Sequence, residues 1–144
     1  MAIIKSSAAL GALLLDGIGD TLRISITDDP VKEITAARRL LRAIGRDNDF
    51  VNVISCPTCG RCQWNSMEIA KKVTSYVENS NKPLKIAVMG CVVNGPGEAK
   101  DCDLGIAGAL DYCVIFKGGK IIKKIAAADA ENEFLREIDK LINE

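Results

Sequence analysis

Two short loops rich in cysteine, glycine and proline each follow directly on a β-branched apolar run. The first loop reads CPTCGR (residues 56–61) and the second reads MGCVVNGPGEA (residues 89–99). The runs before them, residues 50–55 and 85–90, have the composition of short buried β-strands. A chain with this pattern is expected to fold so that two strand ends present thiols in loops. Proteins commonly hold a metal ion or an iron–sulfur cluster in this way.

The candidate ligands in these loops are three thiols and one carboxylate. Cys56 and Cys59 are spaced so that both can converge from one turn, and Cys91 supplies a third thiol from the second loop. Glu98 follows Cys91 by seven residues, after the turn Asn94-Gly95-Pro96-Gly97. Because a carboxylate is displaced from a metal more easily than a thiolate, this ligand set indicates a reactive site rather than a purely structural one.

Composition narrows the chemistry further. The chain has six cysteines and no histidine, which excludes Cys–His and Ser–His catalysis and any Cys/His zinc site within it. Lys plus Arg equals Asp plus Glu at 19 each, so bulk charge indicates neither nucleic acid nor an anionic membrane as a partner. No apolar run approaches a membrane span or a secretion signal, so we expect reduced cysteines and a cytoplasmic location.

Spacing alone leaves several kinds of thiol site open. A zinc ribbon needs a second Cys-x-x-Cys, which is absent. A redox-active dithiol at Cys56 and Cys59 remains a rival, although the third thiol at Cys91 disfavours it. Cys62 extends the first loop to C-x-x-C-x-x-C, the start of a ferredoxin-type motif, and is either a spare thiol or a competing ligand. Cys102 and Cys113 are expected to be buried as small hydrophobic residues.

Residues 1–45 have the pattern of an incomplete α/β domain. We expect a helix capped by Ser6 or Ser7 and ended by Gly17, a strand over residues 21–26, and a second helix from Asp29-Pro30 to Gly45 with Val31, Ile34, Ala37, Leu41 and Ile44 on its apolar face. The first helix is apolar almost all round over Ala8–Leu15, which is typical of a helix packed between others. One strand cannot make a parallel sheet, so we infer the tail of a larger α/β domain. A helical hairpin packed on the next domain is the alternative.

Residues 46–144 have the pattern of a complete α+β domain. We expect strands at 50–55, 85–90, 104–109, 112–116 and 120–126. A helix is expected over 66–79, with an apolar face of Ile69, Val73, Tyr76 and Val77. A last helix is expected to be capped by Asp129, with an apolar face of Phe134, Leu135, Ile138, Leu141 and Ile142. The order of these elements predicts a mixed β-sheet with helices packed on it.

The two loops also carry a family resemblance. CPTCGR followed by MGCVVNGPGEA, with 32 residues from Cys59 to Cys91, resembles the cluster-binding domain of the 4-hydroxy-3-methylbut-2-enyl diphosphate synthase (GcpE/IspG) family. The upstream stretch IIKSSAALGALLLDGIGDTLRIS resembles the last part of the catalytic barrel of the same enzymes. The resemblance implies a cluster domain similar in fold to those of sulfite and nitrite reductases, preceded by a barrel fragment.

The resemblance implies an activity and a cofactor. The enzymes of this family reductively open 2-C-methyl-D-erythritol 2,4-cyclodiphosphate with two electrons, in the methylerythritol phosphate route to isoprenoids. It implies that Cys56, Cys59 and Cys91 hold a 4Fe–4S cluster and that Glu98 is both the fourth, displaceable ligand and the catalytic residue. The alternative from another class is a non-enzymatic iron–sulfur electron-transfer module, with Cys62 in place of Glu98.

Substrate and partner contacts are implied as well. Lys5, Ser6, Arg23 and Ser25 are expected to contact the diphosphate, since barrel enzymes commonly bind phosphate after the last strands, and Asn94 is expected to hydrogen-bond substrate or cluster. Ferredoxin or flavodoxin is the expected electron donor, and the full-length enzyme is an expected homodimer. Because the family's acidic barrel residue falls before Met1, we expect this chain alone to be inactive.

Overall fold

The computed structural model describes residues 1–57 and 59–143, which divide into two compact units. Unit 1 is Met1–Asn48 and unit 2 is Asp49–Glu144. The first has helices α1 (Ala2–Leu15) and α2 (Pro30–Ala43). The second has five strands and three helices, with the sheet at its centre.

Helix α1 begins earlier than its sequence predicts. It starts at Ala2, so Ser6 and Ser7 lie inside the helix, and the prediction that one of them caps it is wrong. The helix ends near Gly17, which adopts the expected left-handed conformation with φ of 80°. Only Gly11 is buried, and it lies close to Leu40 of α2. A Cβ at Gly11 would lie 3.6 Å from the Leu40 Cδ1, an ordinary van der Waals distance, so α1 and α2 are in contact here without requiring a glycine.

The predicted strand over residues 21–26 does not form. The segment is extended, with Leu22, Ile24 and Ile26 turned inward and Arg23 and Ser25 exposed. That alternation is typical of a strand, but a strand also needs a neighbour for its hydrogen-bond ladder. No strand pairs with it in the part of the chain that the structure describes. The predicted strand is therefore wrong, although its residues keep a strand's alternation of inward and outward side chains.

Helix α2 begins at its predicted cap. The Asp29 carboxylate accepts a hydrogen bond from the Val31 N–H at 2.9 Å, and Pro30 occupies the first turn. The buried face is formed by Ala36 and Leu40, whereas Val31 and Ile34 are exposed. Their assignment to the buried face was wrong, because Val31 lies on the opposite side of the helix from Leu40.

The sheet of unit 2 has the order β1-β2-β3-β4-β5. Its strands are β1 (Val51–Ser55), β2 (Leu84–Met89), β3 (Leu104–Gly108), β4 (Tyr112–Lys117) and β5 (Lys120–Ala126). The first three strands are parallel, and β4 and β5 are antiparallel to their neighbours. Gly118 and Gly119, with φ of 53° and 75°, form the predicted hairpin turn. The predicted mixed α+β architecture is confirmed.

The two faces of this sheet are covered differently. Helices α3 (Ser66–Val77) and α5 (Ala130–Asn143) pack on one face, over a core that includes Ile86, Val88 and Phe134. The opposite face, which carries Ala87, Met89 and Phe116, is covered by the segment that contains Ala99 and Cys102. Both faces of the central strands are therefore covered, whereas β5 and the Asn52 and Ile54 side chains of β1 are largely exposed. The loops after β1 and β2 start from this packed sheet.

Smaller elements refine the sequence interpretation. The predicted turn over residues 94–97 is part of a short helix, α4 (Gly95–Glu98), with Asn94 at its N-cap position. Tyr76 is 49% exposed, so its assignment to the buried face of α3 was wrong; its hydroxyl donates instead to Asp139. Asp129 ends a 3₁₀ turn (Ala127–Asp129) directly before α5, and Phe134 and Ile138 form the buried part of that helix as predicted.

Candidate metal centre

The carboxyl ends of β1 and β2 bring the two cysteine loops together. The strands are parallel neighbours, and the Cys56 N–H donates to the Val88 carbonyl at 3.2 Å, which extends their ladder by one residue. Gly90 lies where the loops meet. A Cβ atom there would be 3.4 Å from the Cys62 Sγ and 3.9 Å from the Cys56 Sγ. The missing side chain therefore leaves room for two thiols of the first loop beside the end of β2.

Arg61 connects the other three candidate ligands electrostatically. The pKa of the exposed Cys59 thiol is lowered, first by a hydrogen bond from the Arg61 backbone N–H and then by one from its guanidinium. The pKa of Arg61 is raised in turn by its hydrogen bond to Cys59 and by the charges of Cys59, Cys91 and Glu98. One cation is thus within electrostatic reach of two thiolates and the carboxylate.

The second loop is fixed to the sheet through Gly95. A Cβ at Gly95 would lie 2.7 Å from the Met89 Cβ and 3.0 Å from the Ala107 Cβ, so only glycine lets α4 approach this closely. The Gly95 N–H donates to the Cys91 carbonyl at 3.0 Å, and the Glu98 N–H donates to the Asn94 carbonyl at 2.9 Å. Glu98 is exposed at the end of this short helix, and Cys91 is half-buried in the loop before it.

Cys62, the third cysteine of the first motif, lies beside Gly90 and has hydrogen-bond partners of its own. Its Sγ contacts the Trp64 carbonyl at 3.2 Å and the buried Ser66 hydroxyl at 3.3 Å. The Trp64 indole N–H donates to the Met89 carbonyl at 3.1 Å, on the strand that leads to Cys91. The motif analysis did not identify Trp64. The available signal was its position, two residues after the last cysteine of the first loop.

The donor set fits an iron–sulfur cluster. Among residues 1–57 and 59–143, no three Cys, Asp or Glu side chains converge tightly enough to hold one metal ion. The ligands of a 4Fe–4S cluster bind different irons, so they surround a volume rather than a point. Thiols are the donors such a cluster takes, and Cys56, Cys59 and Cys91 all lie at the ends of two adjacent strands.

The remaining two cysteines are buried in the cores on the two faces of the sheet, Cys113 in the core beneath α3 and α5 and Cys102 in the core on the opposite face. Cys102 is 6% exposed and Cys113 is fully buried, as predicted. Burial raises the pKa of both thiols to about 11, so they stay protonated at neutral pH. Neither thiol has the thiolate character that a ligand or nucleophile needs.

The predicted substrate residues are divided between the two units. Lys5 and Ser6 lie within α1, and Arg23 and Ser25 are exposed on the extended segment. Asn94 is half-buried before α4 in unit 2. Unit 1 has a cavity of about 450 Å³, and none of these four unit 1 residues lines it. Their contact with substrate therefore stays a prediction.

Comparison with known families confirms the resemblance. The family model described as the GcpE protein C-terminal domain matches residues 52–140, and the GcpE TIM-barrel domain matches residues 1–38. The chain belongs to the GcpE family. The extended segment and two helices of unit 1 thus correspond to a barrel fragment, and unit 2 corresponds to the C-terminal domain of the family.

Curated relatives of known name agree with this assignment. The chain is 51% identical over 141 residues to a "4-hydroxy-3-methylbut-2-en-1-yl diphosphate synthase (flavodoxin)" of Caldanaerobacter subterraneus subsp. tengcongensis, covering 98% of this chain and 40% of the relative. It is 50% identical over 138 residues to the synthase of the same name from Clostridium acetobutylicum, covering 96% of this chain and 40% of the relative. The chain therefore spans about two fifths of the length of these relatives. Among the described residues, no helix is long and apolar enough to cross a membrane.

Proposed function

We propose that this chain is the cluster-bearing part of an enzyme that reductively opens 2-C-methyl-D-erythritol 2,4-cyclodiphosphate to 4-hydroxy-3-methylbut-2-enyl diphosphate. The observation that supports it best is the meeting of the CPTCGR and NGPGE loops at the ends of β1 and β2. The family match supports the same reaction, because the relatives are named for its product. A 4Fe–4S cluster would supply the two electrons as single-electron steps.

We assign the cluster to Cys56, Cys59 and Cys91, with Glu98 as the fourth, exchangeable donor. Three thiolates and a carboxylate put several negative charges in one small region. The Arg61 guanidinium offsets part of that charge and favours the thiolate form of Cys59, the form that binds iron. An exposed carboxylate at a helix end can move aside for a substrate oxygen, whereas a thiolate would stay bound.

We further propose which residues contact the substrate and which protein donates the electrons. Arg23 and Ser25 present their side chains to solvent from one edge of the extended segment, which suits recognition of a diphosphate. Lys5 and Ser6 on α1, and Asn94 beside the second loop, are the other proposed contacts. Flavodoxin is the proposed donor, because the names of the relatives specify it, and ferredoxin is the alternative. A homodimeric full-length enzyme in the cytoplasm completes the proposal.

Anaerobic reconstitution with iron and sulfide tests the ligand set. Replacing Cys56, Cys59 or Cys91 with Ser should abolish cluster uptake, measured as iron and sulfide per chain. Glu98→Ala should still take up iron and sulfide but change the Mössbauer spectrum of one iron. Cys113→Ala is the matched control, since it removes a buried thiol outside the site. Full uptake by the Cys91 variant would overturn the assignment.

The electron-transfer module with Cys62 as fourth ligand is the second candidate. The observation in its favour is that the Cys62 Sγ lies beside Gly90, near the Cys56 thiol. Against it, that sulfur is already hydrogen-bonded to Trp64 and Ser66. Loss of the cluster in Cys62→Ser, together with an unchanged spectrum in Glu98→Ala, would favour the module.

A further inference from the structure

We propose that Trp64 is a positioning residue that sets the spacing of the two cysteine loops and so controls cluster assembly. The proposal rests on the cluster site proposed above. Trp64 is not a ligand, and it acts through the residues it holds. Its contacts reach three separate parts of unit 2: the end of β2, the end of β3 and the first cysteine loop.

The first contact is with the strand that leads to Cys91. The indole N–H donates to the Met89 carbonyl at 3.1 Å, two residues before that cysteine. An indole has one N–H donor and no acceptor, so this single bond satisfies its polar group. The bond ties the residue that follows the first loop directly to the start of the second loop.

The second contact fixes the ring itself. A Cβ atom at Gly108 would lie between 2.2 and 2.4 Å from three atoms of the indole, so the ring occupies the space that a side chain at the end of β3 would fill. The ring also packs against the core cluster beneath α3 and α5. Because it is held by both the glycine surface and the core, the indole cannot shift without moving the loop.

The third contact passes through Cys62. Its Sγ contacts the Trp64 carbonyl at 3.2 Å and the Ser66 hydroxyl at 3.3 Å, and Ser66 is only 3% exposed. Cys62 also packs on Gly90, because a Cβ atom built at Gly90 would lie 3.3 Å from the Cys62 Cβ. Cys62 therefore acts as a spacer between Trp64 and the end of β2, which accounts for the third cysteine of the motif without making it a ligand.

Together these contacts connect the two ligand loops to each other and to the sheet through Trp64. Residues that support metal ligands affect both metal affinity and the potential of the site, because they set ligand position and hydrogen bonding. A loop that is free to shift offers its thiols at several spacings, and only some of these fit a cluster. We therefore expect changes at Trp64 to reduce loading and to shift the reduction potential of what is loaded.

The direct test uses three variants of the 144-residue chain, reconstituted anaerobically with limiting iron and sulfide. Trp64→Phe keeps an aromatic ring and removes the N–H, and it should weaken loading by about tenfold, the loss typical of removing a residue that supports a metal ligand. Gly108→Ala keeps the indole but displaces it, and it should have the same effect. Tyr76→Phe is the matched control, because it removes an aromatic hydrogen-bond donor that contacts Asp139 on α5.

Loading, reduction potential and EPR spectrum are the readouts, with circular dichroism as the check on folding. A purely structural role would lower stability without shifting the potential of the cluster that does assemble. If Trp64→Phe and Gly108→Ala both load like the parent chain, with unchanged potential and spectrum, the proposal is wrong. If the parent chain itself takes up no iron and sulfide, the proposed cluster function fails and this inference fails with it.

A second measurement needs no variant of Trp64. The chain contains one tryptophan, so its indole emission comes from Trp64 alone. Iron–sulfur clusters absorb in the near ultraviolet, so assembly beside the indole should quench this emission in step with iron uptake. Cys91→Ser, which should not assemble a cluster, should show no quenching under the same conditions. Unchanged emission at full iron loading would place the cluster away from Trp64 and overturn the proposal.

Discussion

The two units of this chain differ in how completely they bury their apolar residues. Unit 2 covers both faces of the central strands of its five-stranded sheet, and Phe116, Phe134 and Ile106 are fully buried. Unit 1 buries a small cluster of Ile24, Ala36 and Leu40. Its large exposed apolar residues are Met1, Ile3, Ile4, Leu13, Leu15, Ile18, Val31 and Ile34.

The difference shows what sheet pairing contributes to a site. In unit 2, long-range pairing holds the ends of β1 and β2 side by side, so loops at those ends inherit a fixed position. In unit 1, two 14-residue helices pack with an extended segment that is not paired in a sheet. Helices of this length are marginal without tertiary packing. All six cysteines lie in the better-packed unit.

The largest expected contrast is in amide hydrogen exchange. Amides of α1 and α2 should exchange through local opening with a free energy near zero, whereas those of β2, β3 and β4 should exchange only at the global free energy of unfolding of unit 2. Exchange followed by mass spectrometry on the 144-residue chain measures both. Equal protection of α1 and β3 would show that the two units unfold together.

Core truncation sharpens the contrast. Phe134→Ala should lower the free energy of unfolding of unit 2 by about 3–5 kcal/mol, because it removes a fully buried aromatic ring. Leu40→Ala, the corresponding change in unit 1, should reduce helicity but leave the denaturant midpoint of Trp64 fluorescence unchanged. A shift of that midpoint in the Leu40 variant would mean that unit 1 supports unit 2.

The cap of α2 tests unit 1 alone. Asp29→Ala removes the carboxylate that accepts the Val31 N–H and should cost about 1 kcal/mol of helix stability. Asp28→Asn should have a smaller effect, because Asp28 precedes the helix and its pair with Lys32 in the first turn is exposed. Circular dichroism during thermal unfolding compares the two. An equal loss of helix stability in both variants would show that the Asp29 cap does not stabilise α2 more than the Asp28 pair does.

The smallest expected effect concerns thiol reactivity in the cluster-free chain. The backbone N–H of Arg61 lowers the pKa of Cys59 most, and the guanidinium lowers it further. Arg61→Gln keeps the first and removes the second, so at neutral pH less of that thiol is ionised and its alkylation should slow. The pH at which the labelling rate of Cys59 reaches half its maximum should also rise. Cys102 and Cys113, with pKa values of about 11, should stay unlabelled until unfolding.

Arg136→Gln provides the control for this measurement, since Arg136 pairs with Glu133 on α5 and does not contribute to the lowered pKa of Cys59. Its labelling rate at Cys59 should equal that of the parent chain. If Arg61→Gln also labels at the parent rate, the guanidinium of Arg61 does not control this thiol, and the backbone N–H at position 61 accounts for the lowered pKa of Cys59.

Local patterns predicted most elements of unit 2. The β-branched runs before the two loops became β1 and β2 within a residue or two, and the Gly118-Gly119 turn formed the expected hairpin. These predictions succeeded because each pattern is satisfied by its nearest neighbours in the sheet. Tyr76 was misplaced because a tyrosine at a helical spacing can either pack or present its hydroxyl outward, and the position of Asp139 decides between the two.

The predictions for unit 1 failed where they needed a partner. Residues 21–26 have the alternation of a strand, but alternation specifies only which side chains turn inward, whereas strand formation requires a neighbouring backbone. Ser6 has the chemistry of a cap, but α1 begins at Ala2, so its hydroxyl is not at a helix terminus. In both cases the residue types suit the predicted structure, but the chain does not supply the structural context that they need.

The sequence by itself determined the donor types, their spacing and the family, because thiols, a carboxylate and two glycine-rich loops are chemical facts of the chain. Only the tertiary structure decided which residues surround those donors. Arg61 near Cys59, Cys91 and Glu98, Cys62 against Gly90, and Trp64 on Gly108 all join positions far apart in the sequence or depend on a missing Cβ. Such contacts follow from strand register and packing, which no local pattern specifies.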